Sequence, residues 1–409
     1  MADRLDFWFD YSCPYAYIAS TQVKSLAARM GAELVMQPML LGGVFQANGT
    51  AQNLSEVLIP PKLAHNEKDF VRWAKLFGAP LQKPAAHPMR TVEALRATIA
   101  TGCDPRVVDG FFRAYWAEGR APSDPSTVGD VVAAAGHDAS AVLAKIQTAE
   151  VKDDLRRRTD RAIALGIFGA PSFVVDGEEL FWGQDRMHFV AGTRADDVLP
   201  PIRRRARAAG EPPPRLDFYW DFSSPFAYLG SLQAEALAAR TSASLSWRPM
   251  LLGGLFKSIG QPMVPLATWS AAKQRYVGND MHRWAKYHGA PFTWPTHFPT
   301  NSLKAMRCYI ALDDAHRGAY REATFKAYWA EDQDITDDAV LRRAIRAAGA
   351  DADAVLARSS SPEVKASLVD ATERAAAAGV FGAPTWVVDG EHLFWGQDRV
   401  PLVERALVE

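Results

Sequence analysis

The chain is poor in cysteine: three in 409 residues, at Cys13, Cys103 and Cys308, with no C-x-x-C pair among them. That excludes a disulfide scaffold. It also lacks an excess of either charge, with 46 Lys+Arg against 47 Asp+Glu. A protein built mainly to hold nucleic acid or an acidic membrane surface needs such an excess. No run approaches the ~18 apolar residues of a membrane span. The opening MADRLDFWFDYSCPY carries charge and a turn where a secretory leader has an apolar stretch. There is no phosphate-binding loop or dinucleotide fingerprint, and the nine histidines lack metal-ligand spacing. The expected address is therefore the cytoplasm, with no metal, nucleic acid or membrane as partner. What is present is ordinary: 48% hydrophobic and 23% charged residues supply ample core material and exclude disorder of the whole chain.

Self-comparison finds a repeat. LDFWFDYSCPYAYIAS at Leu5 returns as LDFYWDFSSPFAYLGS at Leu216, QPMLLGGVF as RPMLLGGLF, and RWAKLFGAP as RWAKYHGAP, all 211 positions apart. Farther on, RAYWAE matches KAYWAE, and GIFGAPSFVVDGEELFWGQDR matches GVFGAPTWVVDGEHLFWGQDR, now 213 apart. A period near 200 residues is far longer than a solenoid unit and reads as two fused copies of a whole domain. The expected domains are 1–208 and 216–409, joined at 209–215, where Pro212 to Pro214 form an extended spacer. Such a chain is a pseudo-dimer in itself.

Each copy has the same order of elements. Leu5–Phe9 is aromatic-rich and alternating, so it is a strand. A turn follows, and Pro14 suits the first turn of a helix running to about Met30. Glu33–Gln37 is a second strand. Helical spacing then runs from about Val57 to Leu165, with breaks at Gly78-Ala79-Pro80 and Gly136. Ser172–Asp176 and Glu179–Phe181 are strands joined by Asp-Gly, a hairpin signal. Gly183 opens a last helix with Asp185 at its start. This order predicts an α/β fold: two tandem thioredoxin-like domains, each with an inserted helical domain.

Three groups of residues can carry chemistry. The strand-to-helix corners hold Ser12-Cys13-Pro14 and Ser223-Ser224-Pro225. The residue before Pro meets the free N–H groups and positive end of the helix, which would stabilise a thiolate at Cys13 and lower its pKa. A hydroxyl at Ser224 can instead donate a hydrogen bond to a thiolate. The plain alternative is a helix cap with Pro in the first turn. Second, Ala170-Pro171 and Ala383-Pro384 directly precede a strand. A cis bond there leaves the alanine backbone to pair with an extended peptide, whereas an ordinary trans Pro only starts the strand. Third, Phe-Trp-Gly-Gln-Asp-Arg recurs at 181–186 and 394–399. A helix N-terminus binds carboxylate and an Asp beside it receives an ammonium, so Gln184-Asp185 and Gln397-Asp398 would hold the α-amino-acid end of a γ-glutamyl group. The alternative is that both aspartates are N-caps.

Taken together, D-F-S-S-P-F-A-Y, PMLLGGLFK, FPTNS and GVFGAPTWVVDG…FWGQDR resemble the 2-hydroxychromene-2-carboxylate isomerase family. That family is related to kappa-class glutathione transferases and, more distantly, to DsbA-type thiol oxidoreductases. The resemblance spans nearly all of both copies. It implies a DsbA-like fold with a cis-proline and bound glutathione as cofactor. It also implies Ser224 as the glutathione-activating residue, Ala383-Pro384 as the cis-proline site, Gln397 and Asp398 as part of the γ-glutamyl site and Trp395 among the glutathione-binding residues, with Ala170, Pro171, Gln184 and Asp185 as first-copy equivalents. Lys257 and Asn301 match positions lining the active site, joined by Lys273.

The copies diverge at these polar positions. Ser224 corresponds to Cys13, Lys257 to Gln46 and Asn301 to Arg90, while Lys62 and Lys273 agree. The second copy keeps the family pattern and is expected to catalyse. The expected reaction is a glutathione-dependent isomerisation of an aromatic or unsaturated carbonyl compound of aromatic catabolism. A kappa-type transfer, thiol–disulfide exchange through Cys13, and a non-catalytic glutathione-binding first copy are the alternatives. Position 16, the usual place of a resolving cysteine, is alanine, which counts against internal disulfide chemistry.

Overall fold

A computed structural model describes residues 2–53, 56–208 and 210–409. Met1, Leu54, Ser55 and Ala209 fall outside it, and with Ala209 the first residue of the expected linker. The described residues form two compact units. The first comprises Met1–Leu58, Asn66–Pro201 and Ser270–Tyr276; the second comprises Ile59–His65, Ile202–Trp269 and Val277–Glu409.

In the first unit the order is β1 (Arg4–Phe9), α1 (Pro14–Met30), β2 (Glu33–Pro38), α2 (Leu41–Ala47), α3 (Pro60–Leu76), α4 (Val92–Ala100), α5 (Pro105–Trp116), α6 (Pro125–Ala134), α7 (Ala139–Lys145), α8 (Ala149–Ala164), β3 (Ser172–Val175), β4 (Glu179–Trp182), α9 (Met187–Val190) and α10 (Ala195–Val198). Its sheet has the order β2-β1-β3-β4, with β1 parallel to β2 and antiparallel to β3. The second unit repeats this with β5 (Arg215–Trp220), α11 (Pro225–Thr241), β6 (Ser244–Pro249), α12 (Leu252–Ser258), α13 (Ala271–Tyr287), α14 (Leu303–Ala311), α15 (Asp314–Trp329), α16 (Asp338–Ala347), α17 (Ala352–Arg358), α18 (Pro362–Ala377), β7 (Thr385–Val388), β8 (His392–Trp395) and α19 (Val400–Val408), and its sheet runs β6-β5-β7-β8. Among the described residues no helix is long and apolar enough to cross a membrane.

β1 is a central strand, buried on both faces: Phe7, Trp8 and Phe9 have no exposure. A strand covered on both sides reads as a continuous apolar run rather than an alternating one. Phe9, Tyr11 and Phe112 meet edge-on or tilted at 4.8–5.5 Å, which joins the strand's end to α5 of the helical insertion. Removing one such ring, as in Phe9→Ala, should cost about 3–5 kcal/mol. The one carboxylate in this strand, Asp6, is compensated by Arg4 at 2.8 Å and Gln37 Nε2 at 2.8 Å. The insertion is also pinned to the corner by hydrogen bonds. Trp116 Nε1 donates to the Tyr11 carbonyl, and Trp329 Nε1 to that of Phe222, both at 2.8 Å.

The expected boundaries need correction in three places. β5 begins at Arg215, inside the expected linker. Residues 202–208 belong to the second unit. There Arg204 pairs with Glu404 at 2.9 Å and the Arg205 amide donates to Val408 at 2.8 Å, so this basic segment is held by the C-terminal helix. Finally, α3 gives its residues up to His65 to the second unit, and α13 gives Ala271–Tyr276 to the first.

Candidate active site

The corner residues occupy the N-cap of the first helix in each unit, with Pro14 and Pro225 in the first turn. Ser224 is 3% exposed. Its hydroxyl accepts from the Ala227 amide at 3.1 Å and donates to the Ala383 carbonyl at 3.0 Å. Cys13, 8% exposed, places its thiol alike, donating to the Ala170 carbonyl at 3.0 Å. The Ala170–Pro171 and Ala383–Pro384 bonds are cis. Corner and proline loop thus meet through one hydrogen bond in both units, and Ser224 alone also caps its helix with its side chain.

The structure reverses the electrostatic expectation for Cys13. Burial pushes its thiol up to about 12, and the backbone N–H groups of Ala16 and Tyr15 only partly offset this. Desolvation of a thiolate outweighs the favourable helix end here. Cys13 is a buried thiol whose proton faces the Ala170 carbonyl.

The Phe-Trp-Gly-Gln-Asp-Arg segment packs onto the proline loop. The Gly396 amide donates to the Pro384 carbonyl at 3.0 Å, and Gly183 to Pro171 at 2.9 Å. The Trp395 indole lies so close to Gly382 that a Cβ there would sit 2.6 Å from its Nε1. Gly396 has φ 116°, where an L side chain is strained, and the Asp398 carboxylate lies over it. The segment leads straight into the last helix of each unit, through a tighter first turn. It is a single 3-10 turn, Gln184–Arg186 and Gln397–Arg399, and the expected last helix is only Met187–Val190 in the first unit against Val400–Val408 in the second. Asp185 and Asp398 do not cap it. Each pairs with the next arginine, Arg186 at 3.1 Å and Arg399 at 2.9 Å. Gln184 and Gln397 are buried.

Lys273 is placed elsewhere than expected. It belongs to the first unit, with Nζ 5.4 Å from the centre of the Trp182 ring, and Lys62 takes the equivalent place in the second unit, 4.9 Å over Trp395. The same short segments bring residues that sequence reading passed over. The Tyr276 hydroxyl accepts from the Trp182 amide at 2.9 Å, and His65 Nε2 accepts from the Trp395 amide at 3.1 Å. They are repeat-equivalent, and their position one turn beyond Lys62 and Lys273 was the available signal.

The remaining polar positions are exposed and differ in charge between the units. Lys257 lies near the end of α12, and Asn301 precedes α14, where its Oδ1 accepts from the Leu303 amide at 3.1 Å. In the first unit Gln46 is uncharged, and Arg90 is held by Glu93 at 3.0 Å. Among the described residues neither Lys257 nor Asn301 hydrogen-bonds to Ser224.

The chain is similar to several known proteins. The family described as DSBA-like thioredoxin domain matches residues 4–193 and again 215–408. A 2-hydroxychromene-2-carboxylate isomerase of Sphingobium xenophagum is 30% identical over 200 residues, covering 47% of this chain and 98% of that protein. Glutathione S-transferase kappa 1 of Homo sapiens is 29% identical over 218 residues, covering 49% of this chain and 93% of its own. The solved structure of a selenomethionine 2-hydroxychromene-2-carboxylate isomerase is similar at 28% identity and a TM-score of 0.41, covering 46% of this chain and 92% of that one.

Proposed function

The chain belongs to the DSBA-like thioredoxin domain family twice over, and on that premise we propose that it is a glutathione-dependent enzyme whose second unit isomerises an aromatic or unsaturated carbonyl compound. The observation that carries this is the Ser224 hydroxyl, buried at a helix N-cap and within 3.0 Å of the proline-loop carbonyl of Ala383. The donor set of the second unit fits the tripeptide. Ser224 would face its thiol and Ala383 its central peptide. The Asp398–Arg399 pair would face its α-amino-acid end, and Lys62 over Trp395 a carboxylate.

When bound, glutathione would supply a thiol for reversible addition to a conjugated double bond, the chemistry by which its geometry could change. The protein's part is to favour the ionised thiol. A thiol of ordinary pKa ~8.5 is mostly protonated at neutral pH, and lowering it by about 2 units is worth ~2.7 kcal/mol. The Ser224 hydroxyl carries one hydrogen. Turning it from Ala383 toward a sulfur, with the helix end behind it, is the available means.

In the first unit a thiol stands in the same place. S–H is a weak donor, and Gln46 and Arg90 replace Lys257 and Asn301. This supports an altered first site that holds glutathione without activating it as well. Thiol–disulfide exchange through Cys13 is disfavoured by its raised pKa and by Ala16. The test uses the intact chain: calorimetry with glutathione, and interconversion of cis and trans aromatic pyruvates with and without it. Turnover only with glutathione is the expected result. A folded chain that binds no glutathione defeats the proposal, and disulfide reduction lost in Cys13→Ala would favour the exchange reading.

A further inference from the structure

Each unit buries one carboxylate beneath its corner that no step above uses. Asp10 is 1% exposed and Asp221 0%. Asp10 Oδ1 accepts the Ser12 amide at 2.9 Å, the Ser12 hydroxyl at 2.9 Å and the Thr91 hydroxyl at 2.8 Å, while Oδ2 accepts the Leu41 amide at 2.9 Å. Asp221 repeats the set. Oδ1 accepts the Ser223 amide at 2.8 Å and hydroxyl at 3.0 Å and Oδ2 the Leu252 amide at 2.7 Å, while the Ser302 side chain, at the repeat position of Thr91, favours the ionised carboxylate. A buried carboxylate is tolerated when donors replace its lost water.

The donors come from three separate stretches of chain. Ser12 and Ser223 belong to the corner. Leu41 and Leu252 are the first residues of α2 and α12. Thr91 and Ser302 are the N-caps of α4 and α14. Those stretches carry Cys13 or Ser224, Gln46 or Lys257, and Arg90 or Asn301, the three polar positions at which the units differ. The knot is the same in both units while what it carries has changed.

We infer that Asp221, and Asp10 in the first unit, is a positioning residue that fixes the Ser224 corner against the α12 and α14 helix starts, and so sets where the acceptor molecule lies relative to the glutathione sulfur. For catalysis this rests on the glutathione reading above; the tether itself does not. A shift of 1 Å between a nucleophile and its target is enough to cost about a hundredfold in rate. The carboxylate reaches separate stretches at once, whereas the corner's backbone–backbone bonds, Ser224 to Asp221 and Tyr228 to Ser224, are local.

Asp221→Asn preserves shape but puts an NH2 against at least one of two backbone N–H donors, Ser223 or Leu252, leaving an amide without its acceptor. Hydrogen exchange at those two amides in the ligand-free protein should rise about tenfold or more, and kcat of glutathione-dependent turnover should fall by about tenfold or more. The calorimetric Kd for glutathione should stay within about threefold, because residues 395–399 and Ala383 are not tethered by Asp221. Ser302→Ala, which removes one arm and keeps the carboxylate, should lower kcat less, and should add nothing in the Asp221→Asn background. Unchanged exchange at both amides overturns the tether. Loosened amides with unchanged kcat overturn its role in the reaction. Parallel losses in Kd and kcat reduce it to general stability. Should Asp221→Asn not fold, Ser223→Ala and Ser302→Ala decide by the same measurements. A wild-type chain that binds no glutathione ends the reading of function and leaves the exchange result to decide the tether.

Discussion

Ser224 gives its hydroxyl hydrogen to the carbonyl of Ala383 at 3.0 Å, so the candidate activating group and the proline loop already satisfy each other. A ligand thiol has to displace that bond. The exchange is favourable when sulfur carries full negative charge, since hydrogen bonds to an ion are about twice as strong as neutral ones.

Ser224→Ala should therefore raise the pKa of bound glutathione and lower turnover at neutral pH by roughly 10–100-fold, the range of a single lost transition-state donor or less. The loss should shrink as pH rises and the thiol ionises unaided. Cys13→Ala, assayed under reducing conditions, should leave most activity intact. Equal partial losses in the two variants would mean two working sites, and the reverse ranking would make the first unit the enzyme.

Asp398→Ala should weaken glutathione binding by about 5–100-fold, the loss of one charged partner. Calorimetry on the intact chain reads this directly. The Arg399 guanidinium, 2.9 Å from Asp398, would be left without that partner, so Asp398→Asn should recover part of the loss.

Cys13 makes stability fall at alkaline pH. Its folded pKa, about 12, lies above the ordinary value of 9.0, so between the two the unfolded chain loses a proton that the folded chain keeps. Unfolding free energy should drop with a slope of up to about 1.4 kcal/mol per pH unit from this group. Cys13→Ser, which copies Ser224, should flatten the melting temperature against wild type between pH 9 and 10.5. Parallel curves would refute the assignment.

His87 acts at the other end of the scale. Burial, and then the charge of Lys83, lowers its pKa from 6.5 to about 4, where its Nδ1 meets the Tyr115 hydroxyl at 2.9 Å and its ring packs on Trp116. The unfolded chain takes up a proton below 6.5 that the fold refuses, so stability is lost as pH falls toward 4. The part-exposed ring limits this to about 1 kcal/mol per pH unit or less. His87→Phe, the residue at the equivalent Phe298, should reduce the acid dependence.

The tandem repeat, the strand-to-helix corners, the Asp-Gly hairpins and the Ala-Pro loops were legible in the sequence because each follows from local chemistry or self-similarity. The acidity of Cys13 was not. Its sign depends on how much water reaches the sulfur, and the helix end alone argues the wrong way. Asp10 and Asp221 were visible as a repeated residue, but their four donors come from stretches up to 81 residues away, and no local pattern joins those. The last helix does open at Gly183, but through a 3-10 turn, and its shortness in the first unit follows from no local signal. That Lys273 packs in the first unit was not legible, because α13 has one unbroken helical period and nothing in it marks where its allegiance changes.

That change of allegiance bears on how the gene can be rearranged. Scission at Pro212–Pro214 would not yield two complete halves. One fragment would carry away Ile59–His65, with the imidazole that receives the Trp395 amide, and the other would keep Ser270–Tyr276, with the phenol that receives the Trp182 amide. Each fragment would hold a spare part of the other and lack its own. Fusion thus makes the duplicated gene indivisible: either repeat can drift in its chemistry, but neither can be transplanted, truncated or lost without also damaging the one left behind.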